Sequence, residues 1–233
     1  MIAIALRARS GVPGRLPIAG PWIESIHSSF SRASFLSVDS PGDALPPTFT
    51  TRTARDLGVH PRELYAWRDA GEIIELSRGV FRRADAPPAS YPDLLAVAYR
   101  APRAVVCCLS AAVVHDLTDE LPREVQIAVP KGSHPPQISY PPAAVFRFDA
   151  GTFELGLSAF DAAPQEPVRV YDAARTVTDL MRLRHRLGEP VAHTALNRYL
   201  GQPGSRPALL LTYAQALGVL GPLRTALDIA SAR

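Results

Sequence analysis

Between Thr48 and Arg83 the chain is so closely punctuated by residues that start and stop helices that few folds remain open to it. Thr50 and Thr51 carry side-chain acceptors suited to capping a helix, Ala54 and Leu57 recur at its apolar spacing, and Gly58 supplies a stop. Val59 and His60 then make a tight turn. Pro61 stands where a first helical residue belongs, since its fixed φ suits the helix and its missing N–H is no loss there. Leu64 and Trp67 recur along this second helix until Ala70-Gly71 ends it. Ile73-Ile74-Glu75-Leu76, a turn at Ser77-Arg78-Gly79, and Val80-Phe81-Arg82-Arg83 read as a small hairpin. Two short helices across a glycine-containing turn, followed by a hairpin, are the pattern of a winged helix-turn-helix.

In such a unit the second helix enters the major groove and shows its first turn to base edges, while flanking groups hold phosphates. Here that helix carries Arg62, Tyr65 and Arg68. With Leu64 and Trp67 facing the core, Arg62 is the better base reader, because a guanidinium bonds guanine O6 and N7 together. Thr51, Arg52 and His60 suit phosphate contacts. Arg78 at the hairpin tip and Arg82 and Arg83 on the return strand suit a minor groove or flanking phosphates. The charge sum opens an alternative: residues 48–86 hold seven arginines (Arg52, Arg55, Arg62, Arg68, Arg78, Arg82, Arg83) against six acids (Asp56, Glu63, Asp69, Glu72, Glu75, Asp85). A strong non-specific nucleic-acid binder is usually more basic, so a module that contacts protein or RNA without an operator of its own is the second reading. The arginines bracket the second helix and the hairpin, which places DNA first.

Composition adds mainly exclusions. Formal net charge is +3, and Lys131 is the only lysine among 25 basic residues, so nearly every positive charge is a planar guanidinium. No apolar run approaches the roughly 18–20 residues that span a bilayer. Cys107 and Cys108 are too few for a disulfide scaffold or thiolate zinc cluster and read as small hydrophobes in a strand buried on both faces. Six scattered histidines offer no metal pair. A soluble protein in a reducing cytoplasm, with no metal and no cofactor, is the expectation.

Residues 1–47 are rich in Pro, Gly and Ser and poor in acids (Glu24, Asp39 and Asp43); they read as a disordered tail. Within them Pro21, Trp22, Ile26 and Phe30 suit a short helix in 21–36, which is expected to pack on Leu57, Leu64 and Trp67. The proline-rich Ala86-Pro87-Pro88-Ala89-Ser90 is a stiff linker, placing a boundary at 87–92 between a unit over 48–86 and a second over 93–233. The second unit mixes a helix near 91–100, strands at 104–109, 125–129, 145–148 and 168–170, and helices near 172–187, 190–200, 207–217 and 222–231. The fold class is α+β: a winged helix-turn-helix followed by a mixed α/β domain with a helical carboxyl-terminal half.

Several blocks, taken in order, resemble one family. Phe49-Thr50-Thr51-Arg52-Thr53-Ala54-Arg55-Asp56-Leu57-Gly58-Val59, Gly71-Glu72-Ile73 and Ser77-Arg78-Gly79-Val80-Phe81-Arg82 are similar to the amino-terminal domain of the AbiEi antitoxins of type IV toxin-antitoxin systems. Leu109 to Leu117, Val125 to Pro130 and Tyr171 to Leu180 continue the resemblance. It implies a DNA-binding transcriptional repressor that autoregulates its own operon through inverted repeats in the promoter. It further implies a carboxyl-terminal domain that counters a nucleotidyltransferase-like toxin, and a protein that is not itself an enzyme.

In the second unit, Arg175, Asp179, Arg182 and Arg186 fall at i, i+4, i+7 and i+11 along one helix face, with Val177, Leu180, Met181 and Leu187 left for the core. That face is a candidate contact for an acidic partner; the alternative is a solvated face with an ordinary salt bridge worth about 0.3–0.5 kcal/mol. Ser110 and His115 sit five apart on one expected helix, about 140 degrees around its axis, which does not suit nucleophilic catalysis. Ser110 reads instead as a helix cap. Lys131-Gly132-Ser133 lacks the glycine-rich lead of a phosphate loop. Asp149, Glu154 and Asp161 fall in irregular sequence.

Overall fold

The computed structural model describes residues 45–231. The candidate helix at 21–36 lies outside them. Thr50 ends a short strand β1 (Thr48–Thr50) and caps α1 (Thr51–Asp56), its Oγ1 accepting from the Thr53 amide at 3.1 Å. Gly58, at φ +88°, closes that helix. His60 then caps α2 (Pro61–Asp69): its Nδ1 accepts from the Arg62 amide at 3.1 Å, while its own amide donates to Glu63 Oε2 at 2.9 Å. Two amide donors at the helix entrance are thereby satisfied reciprocally. Strands β2 (Ile73–Ser77) and β3 (Val80–Arg83) form the hairpin. β1 pairs antiparallel with β3, giving the order β1-β3-β2. The sequence reading found both helices and the hairpin and missed β1, whose three residues are too short to show a period. Leu45, Phe49, Ala54, Val59, Leu64, Trp67, Ile73 and Phe81 form the core of this unit.

The rest is built on a five-stranded mixed sheet of order β6-β5-β4-β8-β7, from β4 (Val105–Val106), β5 (Val125–Pro130), β6 (Ala143–Phe148), β7 (Leu157–Ala163) and β8 (Glu166–Tyr171). Alternation sorts the side chains. Val106, Ile127, Val145 and Val170 turn to a core with Leu94, Leu95 and Val97 of α3 (Pro92–Arg100). Val105, Ala128, Phe146, Phe148 and Tyr171 turn the other way, to α4 (Cys108–Val114), α5 (Ala173–Arg182), α7 (Glu189–Gly201), α8 (Pro207–Ala216) and α9 (Leu220–Ser231). The fold class is α+β with helices filling the carboxyl-terminal half, as the sequence indicates.

Four local expectations are corrected. The strand placed at 104–109 ends at Val106; Cys107 is already the cap of α4, and Cys108 begins it with φ +49°. Both cysteines are buried, but as helix-start residues. Ser110 therefore lies inside α4, where its Oγ accepts from the Gln126 amide at 2.9 Å and ties the helix to β5. The helix expected over 172–187 breaks at Leu183 into α5 and the short α6 (Arg184–Leu187). Finally, Asp161 belongs to β7, an edge strand whose Leu-Ser-Ala-Phe-Asp-Ala-Ala sequence has no clean alternation.

Candidate nucleic-acid interface and a buried arginine cluster

Capping fixes the faces of the amino-terminal unit. With Leu64 and Trp67 inward, α2 leaves Arg62 and Tyr65 exposed, and Arg68 half-exposed over the Tyr65 ring at 4.9 Å. The hairpin turn lies against the start of α1, since the Thr51 amide donates to Gly79 O at 3.0 Å. Thr51, Arg52 and the Arg78 turn are thus neighbours at one end of the sheet. His60 is exposed, but its Nδ1 is committed to the cap.

Charge is distributed less generously than the arginine count suggests. Arg52 pairs with Asp56 at 3.7 Å, and Arg68 with Asp69 at 2.9 Å and Glu75 at 3.7 Å. Arg83 is half-buried, donating to Asp85 and to Leu45 O. Its guanidinium holds the Asp85 carboxyl below the usual carboxylate range. Arg62 and Arg78 are exposed and have no carboxylate within ion-pair distance among the described residues.

Arg82 requires a correction. It was expected to reach toward DNA, yet its side chain is only 6% exposed and bonds to Thr48 Oγ1, Glu166 Oε2 and Pro87 O. Glu166 at the start of β8 and Pro87 of the 87–92 segment cover the face of β3 that carries Arg82. Nearby, Tyr99 Oη donates to Thr48 O at 3.0 Å, and Ser77 Oγ donates to Tyr140 O. Burial, with Glu166 adding to it, pushes the Tyr99 hydroxyl up to about 12. The hairpin is clamped to the second sheet by polar contacts that neighbouring sequence does not reveal.

A second correction concerns α5. Arg175 and Asp179, expected on a partner-facing surface, are both fully buried. Asp179 Oδ2 accepts from Arg175 Nε at 2.8 Å, and Oδ1 accepts from Arg182 Nε at 3.1 Å and Nη2 at 2.7 Å. Arg175 also donates to Thr152 O and Leu155 O and lies 4.4 Å from the Tyr171 ring centroid. Its Nη2 has no hydrogen-bond partner among the described residues. Burial raises the Asp179 carboxyl, while the two guanidiniums pull it back. Arg182, 27% exposed, lies over Phe148, and exposed Arg186 lies over Phe146 at 4.5 Å. Of the four residues, only these two reach solvent. A signal was present: apart from Arg175, Asp179 and Arg182, every residue of α5 is small or apolar (Ala173, Ala174, Thr176, Val177, Thr178, Leu180, Met181), as in a helix covered all round.

His115 and Ser110 serve the frame. His115 Nε2 donates to Tyr171 O at 2.6 Å, and burial lowers its pKa. Tyr213 Oη donates to Asp172 Oδ2 at 3.0 Å, while Asp172 Oδ1 caps α5 by accepting from the Arg175 amide at 2.7 Å. Among the described residues no helix is long and apolar enough to cross a membrane, and no cluster of three His, Cys, Asp or Glu is placed to hold a metal.

Strand, helix, tight turn, helix and hairpin follow one another in this unit, with Arg62 and Arg78 outward. Residues 45–84 match the family model described as transcriptional regulator, AbiEi antitoxin. The resemblance read from the sequence is borne out over this unit, and the match ends before α3. No curated protein matches the chain. Among solved structures, the RV2827C protein from Mycobacterium tuberculosis is similar at 15% identity and TM-score 0.41, over 78% of this chain and 76% of that one.

Proposed function

We propose that the chain is a DNA-binding antitoxin that represses its own toxin-antitoxin operon and counteracts a nucleotidyltransferase-like toxin. The observation that carries the reading is the exposed, uncompensated Arg62 in the first turn of α2, together with the exposed Arg78 of the hairpin turn, in a segment matching a family of antitoxin transcriptional regulators. Arg62 reads a base edge; Tyr65 and Arg68 flank it. Thr51, Arg52, His60 and Arg78 contact phosphates, with Arg83 at the margin. Inverted repeats in the promoter of its own operon are the target. Residues 48–86 act as the DNA-binding module and 93–233 as the antitoxin module, joined through 87–92, in the cytoplasm. Within the antitoxin module the partner face reduces to Arg182 and Arg186, stacked on Phe148 and Phe146.

One feature favours a second reading. Ile74 and Tyr65 are large and about half-exposed, at 54% and 47%, on a unit whose arginines are largely paired. Such a surface also suits a protein contact without an operator. The two readings separate by binding to the duplex upstream of the gene. In the first, Arg62→Ala loses about 1–3 kcal/mol of affinity for that duplex and still neutralises the toxin. R182E with R186E does the reverse. If the wild-type chain binds the upstream duplex no better than unrelated DNA, the repressor reading fails. If R182E with R186E still neutralises the toxin, the partner face is elsewhere.

A further inference from the structure

Arg100, the last residue of α3, belongs to neither the helix-turn-helix nor the hairpin, and its position was given no role by the sequence. It is exposed, and its guanidinium stands at the hairpin turn: Nη1 donates to Arg78 O at 3.3 Å and Nη2 to Gln137 O at 3.4 Å. Both bonds are near the outer limit of hydrogen-bond length, so they guide the side chain while leaving N–H groups for another acceptor. No carboxylate lies within ion-pair distance of it among the described residues. The placement is built rather than incidental. The Arg82–Glu166 pair, Tyr99 on Thr48 O and Ser77 on Tyr140 O hold α3 and the loop before β6 against the hairpin.

We propose that Arg100 contacts a DNA phosphate and extends the binding surface from the hairpin turn at Arg78 onto the second module. This rests on the DNA-binding reading above and deepens it. Four of the seven arginines of the unit matched to the family, Arg52, Arg68, Arg82 and Arg83, are paired with carboxylates, so Arg55, Arg62 and Arg78 are left as its unpaired charge and a further cation adds materially to it. The Arg100 guanidinium stands against the backbone of the turn that carries Arg78, and neither side chain has a carboxylate within ion-pair distance among the described residues. A guanidinium fork suits a phosphate oxygen as its further acceptor. Contacts of this kind hold a duplex in register without reading its sequence. Arg100 is therefore a positioning residue, and Arg62 remains the reader.

The test uses the full chain, with one duplex from upstream of the gene and one of unrelated sequence, titrated between about 50 and 200 mM salt. Arg100→Ala is expected to lower the slope of log affinity against log salt by about 0.9 and to weaken both duplexes alike. Arg100→Lys, which keeps the charge but not the bidentate geometry, retains the slope. Arg224→Ala on α9 removes the same charge elsewhere and leaves the slope unchanged. A wild-type slope in Arg100→Ala overturns the proposal. So does a slope lost equally in Arg100→Lys, because the residue would then only brace the hairpin turn. A wild-type chain without salt-dependent DNA affinity overturns the functional reading first and this proposal with it.

Discussion

Asp179→Ala separates two accounts of α5 whose expected energies differ roughly tenfold. On a solvated helix face, an i,i+4 pair with Arg175 contributes only about 0.3–0.5 kcal/mol. In the structure Asp179 is fully buried and accepts from Arg175 Nε and from two nitrogens of Arg182. Intact, such a pair is close to neutral, because desolvation of both ions offsets their attraction. Removing one partner leaves the other buried and uncompensated, at a cost of about 3–5 kcal/mol. Arg182, partly exposed, can turn toward water. Arg175 keeps the carbonyls of Thr152 and Leu155 and the Tyr171 ring, but no anion. For a chain of this size about 2–4 °C of melting temperature follows each kcal/mol, so Asp179→Ala lowers the midpoint by about 6–20 °C. The double variant Arg175→Met with Asp179→Leu removes both charges and fills the space, with thioether against the Phe148 and Tyr171 rings. It is expected to recover most of the loss in urea or thermal unfolding. A single-variant cost below about 1 kcal/mol, or a double variant as unstable as the sum of the singles, refutes the buried-pair account.

Two further perturbations follow from the same frame. Gly156 has φ +73°, and a Cβ there would meet Arg175 Cβ at 2.6 Å, whereas Gly58, at φ +88°, has nothing within 4 Å. Gly58→Ala therefore costs only the left-handed backbone penalty of about 1–2 kcal/mol; Gly156→Ala costs clearly more, and equal denaturation midpoints for the two contradict the contact. His115 is held neutral by burial, so its folded pKa lies below its unfolded value. Its contribution is fully present above the unfolded pKa of about 6.5 and declines as pH falls toward the folded pKa, by at most about 1.4 kcal/mol per pH unit. His115→Gln should flatten stability against pH between about 7 and 5; an unchanged slope means the ring is solvated.

The electrostatics of the interface follow from the fold more than from arginine content. Carboxylates pair with Arg52, Arg68, Arg82 and Arg83, and burial takes Arg82 out of reach, leaving Arg55, Arg62 and Arg78 of the amino-terminal unit, and Arg100 of α3, exposed without a carboxylate partner among the described residues. Arg82 illustrates the exchange. Expected as a DNA contact, it instead clamps the hairpin to β8 and to the linker.

What the chain settled by itself was local. The Thr50 cap, the His60–Glu63 box, Pro61 in the first turn, and Gly58 and Gly79 at left-handed φ are interactions within a few residues, so the helices and hairpin of the amino-terminal unit were legible. The short apolar runs at 125–129, 145–148 and 168–170 likewise located β5, β6 and β8. The edge strand β7 and the three-residue β1 escaped, because their existence depends on the strand beside them. The fate of the charges was decided by tertiary structure. Arg82 meets Glu166 from 84 residues away, and Arg175 finds its carbonyl acceptors 20 and 23 residues upstream. A sequence states that a guanidinium and a carboxylate lie at i and i+4; whether water surrounds them is set by what packs over that face, and on α5 this turned a surface pair into a buried one.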